Sequence, residues 1–309
     1  MITQAPTGLV AGIDIGGTRT KMGIVELATG RVLGSRVFAT ERTDEAIFLD
    51  NLAGAASSLA AEVGAPRAAG VSIGSYVFSD GSIDGMSSFV RFLTHGYPLA
   101  GRVSQALDLP ARVDNDARLI ALAETREGAG RGAGRVLTLT LGTGVGVGLC
   151  EGGHPVGQDS HIHLAGHVRV REGGEVTGLD EEPCYCGLTG CFESTCSGTS
   201  LAKLARAWLG TTISNEWLFE LAEARDAAAT EVLGYYLEML SRALNQYVYL
   251  YCPDVIVLAG GVAKGLAPYR QRLQDMLVAS VWEGQRTEVR MGTLEEDAGI
   301  VGAASLFAR

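Results

Sequence analysis

Apolar and polar positions along the chain follow two rhythms. Residues 9–15, 20–26 and 31–39 are apolar and β-branched or loosely alternating, and Gly16-Gly17-Thr18 and Ala28-Thr29-Gly30 separate them. Three strands joined by tight turns are therefore expected. Residues 43–63 change to helical spacing, with Ile47, Leu49, Leu52, Ala56, Leu59 and Val63 on one face. A short strand at 69–74, a helix at 99–107, a short strand at 112–113 and a helix over 116–126 follow. The pattern then restarts: a strand at 135–141, the turn Gly142-Thr143-Gly144 and a returning strand at 145–151. Ile13 to Thr18 and Thr140 to Gly144 are both strand, glycine-threonine turn and strand, an internal repeat that predicts two related halves.

Residues 152–196 have no clear period and collect glycines, four histidines and four cysteines. Helical spacing returns at 199–209, 217–224 and 227 to about 251, then a strand at 255–259 runs into Gly260-Gly261. A helix at 263–278, a strand at 288–291 and a closing helix at 299–308 complete the pattern. Strands alternating with helices predict an α/β layered fold with mixed to parallel sheets. No Pro- or Ser-rich linker separates the halves, so a close hinge is expected near Asp116 and again near Glu295. The first domain is then 1–116 plus 296–309, and the second is 117–295 with an insertion at about 152–196.

Composition narrows the function. The 309 residues are 47% apolar and 19% charged, an ordinary globular balance with room for two cores. A net charge of −10 disfavours nucleic acid, which needs a basic footprint. It does not exclude ATP, which arrives partly neutralised by magnesium. Residues 1–8 lack a secretion signal and no apolar run approaches the ~20 residues of a membrane span, so a cytoplasmic protein is expected. Six cysteines in a reducing compartment suggest metal ligands or buried thiols.

Several segments carry candidate chemistry. In the first turn, Gly16 and Gly17 bare backbone amides that can face phosphate oxygens, Thr18 and Thr20 can add hydroxyls, and Asp14 can hold magnesium. Gly142, Thr143 and Gly144 repeat that logic, although a plain hairpin also accounts for either turn. Asp114-Asn115-Asp116-Ala117 lies between a strand and a helix, where an Asp is most often an N-cap but can also accept the proton of an attacking alcohol. Cys184, Cys186 and Cys191 with one imidazole suit a tetrahedral zinc site; His167 is the candidate fourth ligand, with His154, His161 and His163 also near. Such a site leaves no open position, so the zinc would be structural. Cys150, Cys196 and Cys252 read as small apolar packers. Glu193 follows the last cysteine of the run, where it could be pointed at a ligand or simply form a surface ion pair, and Gly260-Gly261 form a strand-to-helix edge common at nucleotides.

In this order, these segments resemble the ROK family of bacterial sugar kinases, repressors and unclassified relatives. The resemblance runs from about residue 9 to 307, and its most specific part is Gly166-His167 followed by Cys184 to Glu193. It implies the two-domain actin, hexokinase and Hsp70 ATPase architecture, with ATP in the interdomain cleft and Mg²⁺ accompanying it. It implies that Asp116 is the base activating a sugar's 6-hydroxyl. Asn115, His167 and Glu193 match sugar contacts, the two glycine turns match phosphate sites, and Gly260 and Gly261 match the adenosine side. His167 would serve twice, one ring nitrogen on zinc and the other toward the sugar. Homodimers or homotetramers are implied as well.

Departures fall in the recognition half. Leu164 stands where the family has a glutamate that contacts a sugar hydroxyl, Ser75-Tyr76 where it has Pro-Gly, and Ser88-Phe89 where it has Asn-Leu. The expectation is a kinase for a hexose or amino sugar with altered recognition; the alternative is a non-catalytic sugar sensor or regulator. The repressors carry a DNA-binding domain ahead of the first turn, and with a first strand predicted at residue 9 no DNA binding is expected.

Overall fold

The computed structural model describes residues 8–85, 90–157, 161–172 and 183–308. In chain order the elements are strands β1 (Leu9–Ile15), β2 (Arg19–Glu26) and β3 (Arg31–Ala39), helix α1 (Glu45–Val63), strand β4 (Ala69–Ile73), helix α2 (Leu99–Leu107), strand β5 (Ala111–Asn115) and helix α3 (Asp116–Arg126). Strands β6 (Arg135–Leu141), β7 (Val145–Glu151) and β8 (His154–Pro155) come next, then a 3-10 helix (His161–His167) and helices α4 (Phe192–Cys196), α5 (Gly198–Leu209), α6 (Asn215–Glu223) and α7 (Ala227–Tyr251). Strand β9 (Val255–Ala259), helices α8 (Gly261–Leu266) and α9 (Arg270–Ser280), strand β10 (Glu288–Met291) and helix α10 (Ala298–Ser305) complete the chain. They form two compact units: Met1–Arg131, Gly148–Ile162 and Leu294–Arg309 in one, Gly132–Val147 and His163–Thr293 in the other.

The first unit is built on a sheet of order β3-β2-β1-β4-β5. β1 pairs antiparallel with β2 and parallel with β4, which pairs parallel with β5. α10 packs on β1 and β4. Its approach requires a glycine in the sheet, because a Cβ at Gly70 would lie 1.8 Å from the Ala303 carbonyl oxygen. α1 buries Phe48, Leu52, Ala56 and Leu59, each large side chain contributing about 1.5–3 kcal/mol of burial. Ile47, expected on that stripe, is 50% exposed. The Asp44 cap, which accepts from the Ala46 and Ile47 amides, phases the first turn so that Phe48 points inward instead.

The second sheet has the order β10-β9-β6-β7-β8, with β6, β9 and β10 parallel. Read from β8, each strand matches its counterpart in the first sheet, so the repeated turn marks a repeated topology. In the second unit, α7 supplies much of the core through Val232, Leu233, Tyr236, Leu240, Leu244 and Tyr247. Two of its tyrosines anchor other segments, Tyr236 to the Cys196 carbonyl at 2.8 Å and Tyr247 to the Ala165 carbonyl at 2.7 Å.

Three local expectations change. The helix expected at 263–278 breaks into α8, a 3-10 turn at Ala267–Tyr269 and α9, because Pro268 has no amide to continue the ladder. Residues 152–196 gain a short helix, α4, capped by the Cys191 sulfur accepting from the Ser194 amide at 3.5 Å. Cys150 and Cys196 are buried as expected, but Cys252 is exposed, because it is the left-handed residue (φ 45°) that ends α7. Among the described residues, no helix is long and apolar enough to cross a membrane.

Candidate active site

In the first unit, Ile15, Gly16, Gly17, Ile73, Gly74, Val90 and Asp116 line a cavity of about 160 Å³. That is below the roughly 300 Å³ at which small-molecule pockets begin, so it holds part of a ligand, such as one hydroxyl or phosphoryl group. Its floor is the turn between β1 and β2. The Gly16 amide donates to the Arg19 carbonyl at 3.1 Å, so it stays inside the turn. Among the described residues, nothing bonds the Gly17 or Thr18 amide, and Thr18 is exposed. Thr20 corrects the sequence reading. Its hydroxyl is fully buried against Thr40 Oγ1 at 2.9 Å, and Thr40 Oγ1 donates to the Gly16 carbonyl at 2.8 Å. The pair props the turn from behind instead of facing a ligand.

Asp14 and Asp116 belong to different elements, strand β1 and the start of helix α3. Asp14, the penultimate residue of β1, is in register with Lys21 on β2 and Ser72 on β4, and Ser72 is in register with Asp114 on β5. The Ser72 hydroxyl donates to Asp14 Oδ1 at 2.8 Å. Burial raises the Asp14 pKa, while Ser72 and Lys21 pull it down. Asp116 opens α3, one residue after the true cap. Asn115 Oδ1 accepts from the Ala117 and Arg118 amides at 3.0 and 3.4 Å, and its Nδ2 donates to the Ser75 carbonyl at 3.1 Å. Asn115 therefore clamps the helix start through both ends of its amide. Capping by Asn115 frees Asp116 to turn toward Gly74, where its Oδ2 lies 3.3 Å from the place a Cβ would occupy. Burial pushes Asp116 up to about 6, with the Asp14 charge adding and the Ala117 amide opposing. This is a carboxylate still charged at neutral pH but a stronger base than usual.

Arg118 was not visible as a functional residue. Its Nε meets both Asp114 oxygens at 3.0 Å, while Nη1 and Nη2 donate to the Val156 and Gly157 carbonyls at 2.8 and 3.0 Å. It ties the end of β5 to the segment after β8, and its helical spacing from Asp114 was the only signal in the sequence.

In the second unit, His167, Cys184, Cys186 and Cys191 bring their ligand atoms within 4.8 Å of one another. His167 Nδ1 lies 3.6 and 3.7 Å from the Cys184 and Cys191 sulfurs. Metal bonds of about 2.1 Å to nitrogen and 2.3 Å to sulfur give a tetrahedral edge of roughly 3.6 Å, so the set fits a four-coordinate ion. Burial, joined by the neighbouring Cys191 thiol, pushes the Cys184 thiol up to about 12. A bound cation removes that penalty. Of the histidines the sequence left open as the fourth member, His167 is the one that joins the three cysteines among the described residues.

The other ring nitrogen of His167, Nε2, lies 2.8 Å from the Tyr185 hydroxyl. Glu193 is close enough for its charge to act on Tyr185; burial raises the Glu193 carboxyl in pKa and the His167 charge opposes that. Glu193 lies in the first turn of α4, and its carboxyl carbon is 3.6 Å from the place of a Cβ at Gly144. In the second turn, the Gly142 amide donates to the Gly144 carbonyl at 3.0 Å, while Gly198 and Thr199 of α5 bond the Gly142 and Thr143 carbonyls at 2.7 and 2.9 Å. Gly260 stands beside it with φ 92°, and a Cβ there would be 2.6 Å from the Leu141 carbonyl oxygen, so only glycine fits. Gly261, exposed, begins α8. Leu164 lies in the 3-10 helix, 39% exposed, and Ser88 falls outside the described residues. Tyr185 was missed because nothing in the C-x-C spacing says where the intervening side chain turns.

The chain matches the ROK family over residues 10–309. It is 31% identical to a glucokinase of Halalkalibacterium halodurans, over 96% of this chain and 93% of that one. With an N-acetyl-D-glucosamine kinase of Pectobacterium carotovorum it shares 28% identity, over 82% of this chain and 83% of the relative. A crystal structure of a ROK family glucokinase from Streptomyces griseus in complex with glucose and AMPPNP superposes with a TM-score of 0.76 at 29% identity, covering 97% of this chain and 99% of that one. The mixed α/β architecture with its two sheets is that of the actin-like ATPase fold. Matched along nearly its whole length and carrying the ordered turns and cysteine cluster on that fold, this chain belongs to the ROK family.

Proposed function

We propose that this protein is an ATP-dependent sugar kinase that phosphorylates the 6-hydroxyl of a hexose or amino sugar. One observation carries the reading: the Asp116 carboxylate, pushed up to about 6, lies in one cavity with the Gly16-Gly17 turn. A carboxylate so placed can take the proton of a hydroxyl as that oxygen attacks the γ-phosphorus. The bond from phosphorus to the bridging oxygen breaks, and ADP leaves with that oxygen. The Gly17 and Thr18 amides are the turn's outward donors for the transferring phosphate. Asp14, oriented by Ser72, is the carboxylate placed to meet Mg²⁺ accompanying ATP.

His167, Cys184, Cys186 and Cys191 would hold zinc, which supplies no open coordination position and so fixes loop geometry without entering the reaction. His167 and Glu193 are read as sugar contacts, the turns at 142–144 and 260–261 as nucleotide contacts. Exposed Leu164 cannot accept a hydrogen bond, which favours a sugar altered around carbons 1 to 3, an amino sugar among them. The names of the relatives include both classes.

The test is an ADP-release assay over hexoses, hexosamines and N-acetylhexosamines, with Asp116→Asn beside the parent. Loss of the base should cut turnover by roughly 10²–10⁴. An Asp116→Asn protein that phosphorylates sugar at the parent rate would refute the assignment.

A further inference from the structure

Gly16 and Gly17 bare their amides in the turn after β1, but glycine peptide planes rotate at little cost, so the pair does not fix its own direction. The direction comes from Thr40, the residue after β3 and 24 positions from Gly16. Thr40 is buried and lies outside the cavity lining. Its hydroxyl donates to the Gly16 carbonyl at 2.8 Å, and its amide donates to the Thr18 carbonyl at 3.0 Å.

These two bonds grip two of the three peptide planes between Gly16 and Arg19. In a trans peptide the carbonyl and the following N–H point in opposite directions. Holding the Gly16 carbonyl against Thr40 therefore turns the Gly17 N–H away from Thr40, and holding the Thr18 carbonyl fixes the far side of the turn. The Thr40 hydroxyl has one proton, which goes to the Gly16 carbonyl. The Thr20 hydroxyl therefore donates to Thr40 Oγ1 at 2.9 Å and completes a buried relay.

Thr40 is itself held by the segment it begins. Glu41 accepts from the Arg42, Thr43 and Asp44 amides at 2.9, 2.7 and 3.1 Å, and from the Thr43 hydroxyl at 2.7 Å. The Arg42 carbonyl accepts from the Arg91 amide at 2.8 Å, beside Val90 of the cavity wall. The connection between β3 and α1 is thus a brace, with one hold on the turn and another beside the wall.

We propose that Thr40 is a positioning residue for phosphoryl transfer: its hydroxyl aims the Gly17 amide at the transferring phosphate, which Thr40 itself does not touch. The inference rests on the reading of this turn as a phosphate site. With an apolar side chain at position 40, the Gly16 carbonyl loses its donor and its plane swings until the carbonyl finds another. The Gly17 N–H swings with it. Amides already aimed at phosphate oxygens need no reorganisation when the phosphate arrives, whereas a turn that samples several orientations must be ordered at each encounter. Neither Thr40 bond touches Asp116, so the damage falls on the nucleotide side.

The experiment is steady-state kinetics of the full chain, with ATP and the parent's best sugar varied in turn. The proteins are the parent, Thr40→Val, Thr40→Ser and Thr20→Val, each checked by thermal melting. Thr40→Val is nearly isosteric and should lower kcat/KM for ATP about 5- to 30-fold, the range set by leaving one buried carbonyl unbonded. KM for the sugar should stay within about twofold. Thr40→Ser keeps the hydroxyl and should recover most of the loss. Thr20→Val breaks the relay one bond further back and should lower the same parameter about 2- to 5-fold; it carries the test if Thr40→Val does not fold. Parent-like kcat/KM for ATP in both valine variants overturns the inference. So do equal losses toward ATP and sugar, or a Thr40→Ser protein as impaired as Thr40→Val, since Thr40 would then only fill space. A parent that phosphorylates no sugar overturns the kinase reading together with this one. An active parent with unaffected valine variants overturns this one alone.

Discussion

Asp116 offers a test in which stability and function pull in opposite directions. Its carboxyl titrates near 3.8 in an unfolded chain and is pushed up to about 6 in the fold, first by burial and further by the Asp14 charge. Between those values the folded protein binds the proton more tightly than the unfolded one. Charged Asp116 therefore opposes folding at neutral pH, and the opposition fades as pH falls through 6 toward 3.8. At about 1.4 kcal/mol for each pH unit separating the two values, the charge costs up to about 3 kcal/mol at pH 7. Asparagine has nearly the same shape, keeps an oxygen for the Ala117 amide that Asp116 Oδ1 now meets at 2.7 Å, and carries no charge. Asp116→Asn should thus be inactive and yet more stable than the parent by about 1–3 kcal/mol at pH 7.5, with the advantage shrinking to near zero by about pH 4. Urea unfolding followed by circular dichroism at both pH values measures it. A variant less stable than the parent at pH 7.5, or one equally stabilised at both pH values, would refute the argument that desolvated charge sets the properties of Asp116.

Three further outcomes follow from the same geometry. The kcat/KM of the parent should fall as pH drops below about 6, with one proton governing the limb, because the neutral Asp116 acid cannot accept the sugar's proton; a flat profile from pH 5 to 8 would exclude Asp116 as the base. Ser72→Ala, which frees Asp14 Oδ1, should lower kcat/KM about 10- to 100-fold, the worth of a hydrogen bond to a charged group, and raise the Mg²⁺ concentration needed for half-maximal rate; an unchanged Mg²⁺ requirement would separate Asp14 from the metal. Stripping metal with a chelator should release about one zinc per chain and open the segment between Val168 and Cys191 to proteolysis, while cleavage within β1 to α3 stays at the parent level; metal-free protein that resists protease equally would mean the cluster stands without an ion.

Much of the fold was legible because its signals are local. Seven consecutive residues suffice to mark β1, two glycines mark the turn after it, and the same signature at Leu141 to Val145 marks its repeat. The cysteine run stood out as a candidate metal site because its three cysteines lie within eight residues, and the fold brings His167 beside them. Asp116 stood out at a strand-to-helix junction, although the cap there is Asn115 and not the Asp that was expected.

Other features depended on residues far away in sequence. Thr20 looked like a phosphate donor until Thr40 closed over its hydroxyl. Asp14 is oriented by Ser72, 58 positions along the chain, and Asn115 is held by Ser75, 40 positions back. Arg118 became a clamp only when the carbonyls of Val156 and Gly157 came within its reach. Tyr185, 18 positions from His167, meets its ring nitrogen at 2.8 Å only in the fold. By itself, then, the sequence determined the order of strands, turns and helices and the kinds of chemistry on offer, since periodicity, glycine conformation and ligand spacing act within a few residues. Only the tertiary structure decided which hydroxyls and carboxyls are free to meet a ligand, because burial and hydrogen-bond partners are set by whatever packs against each group from elsewhere in the chain.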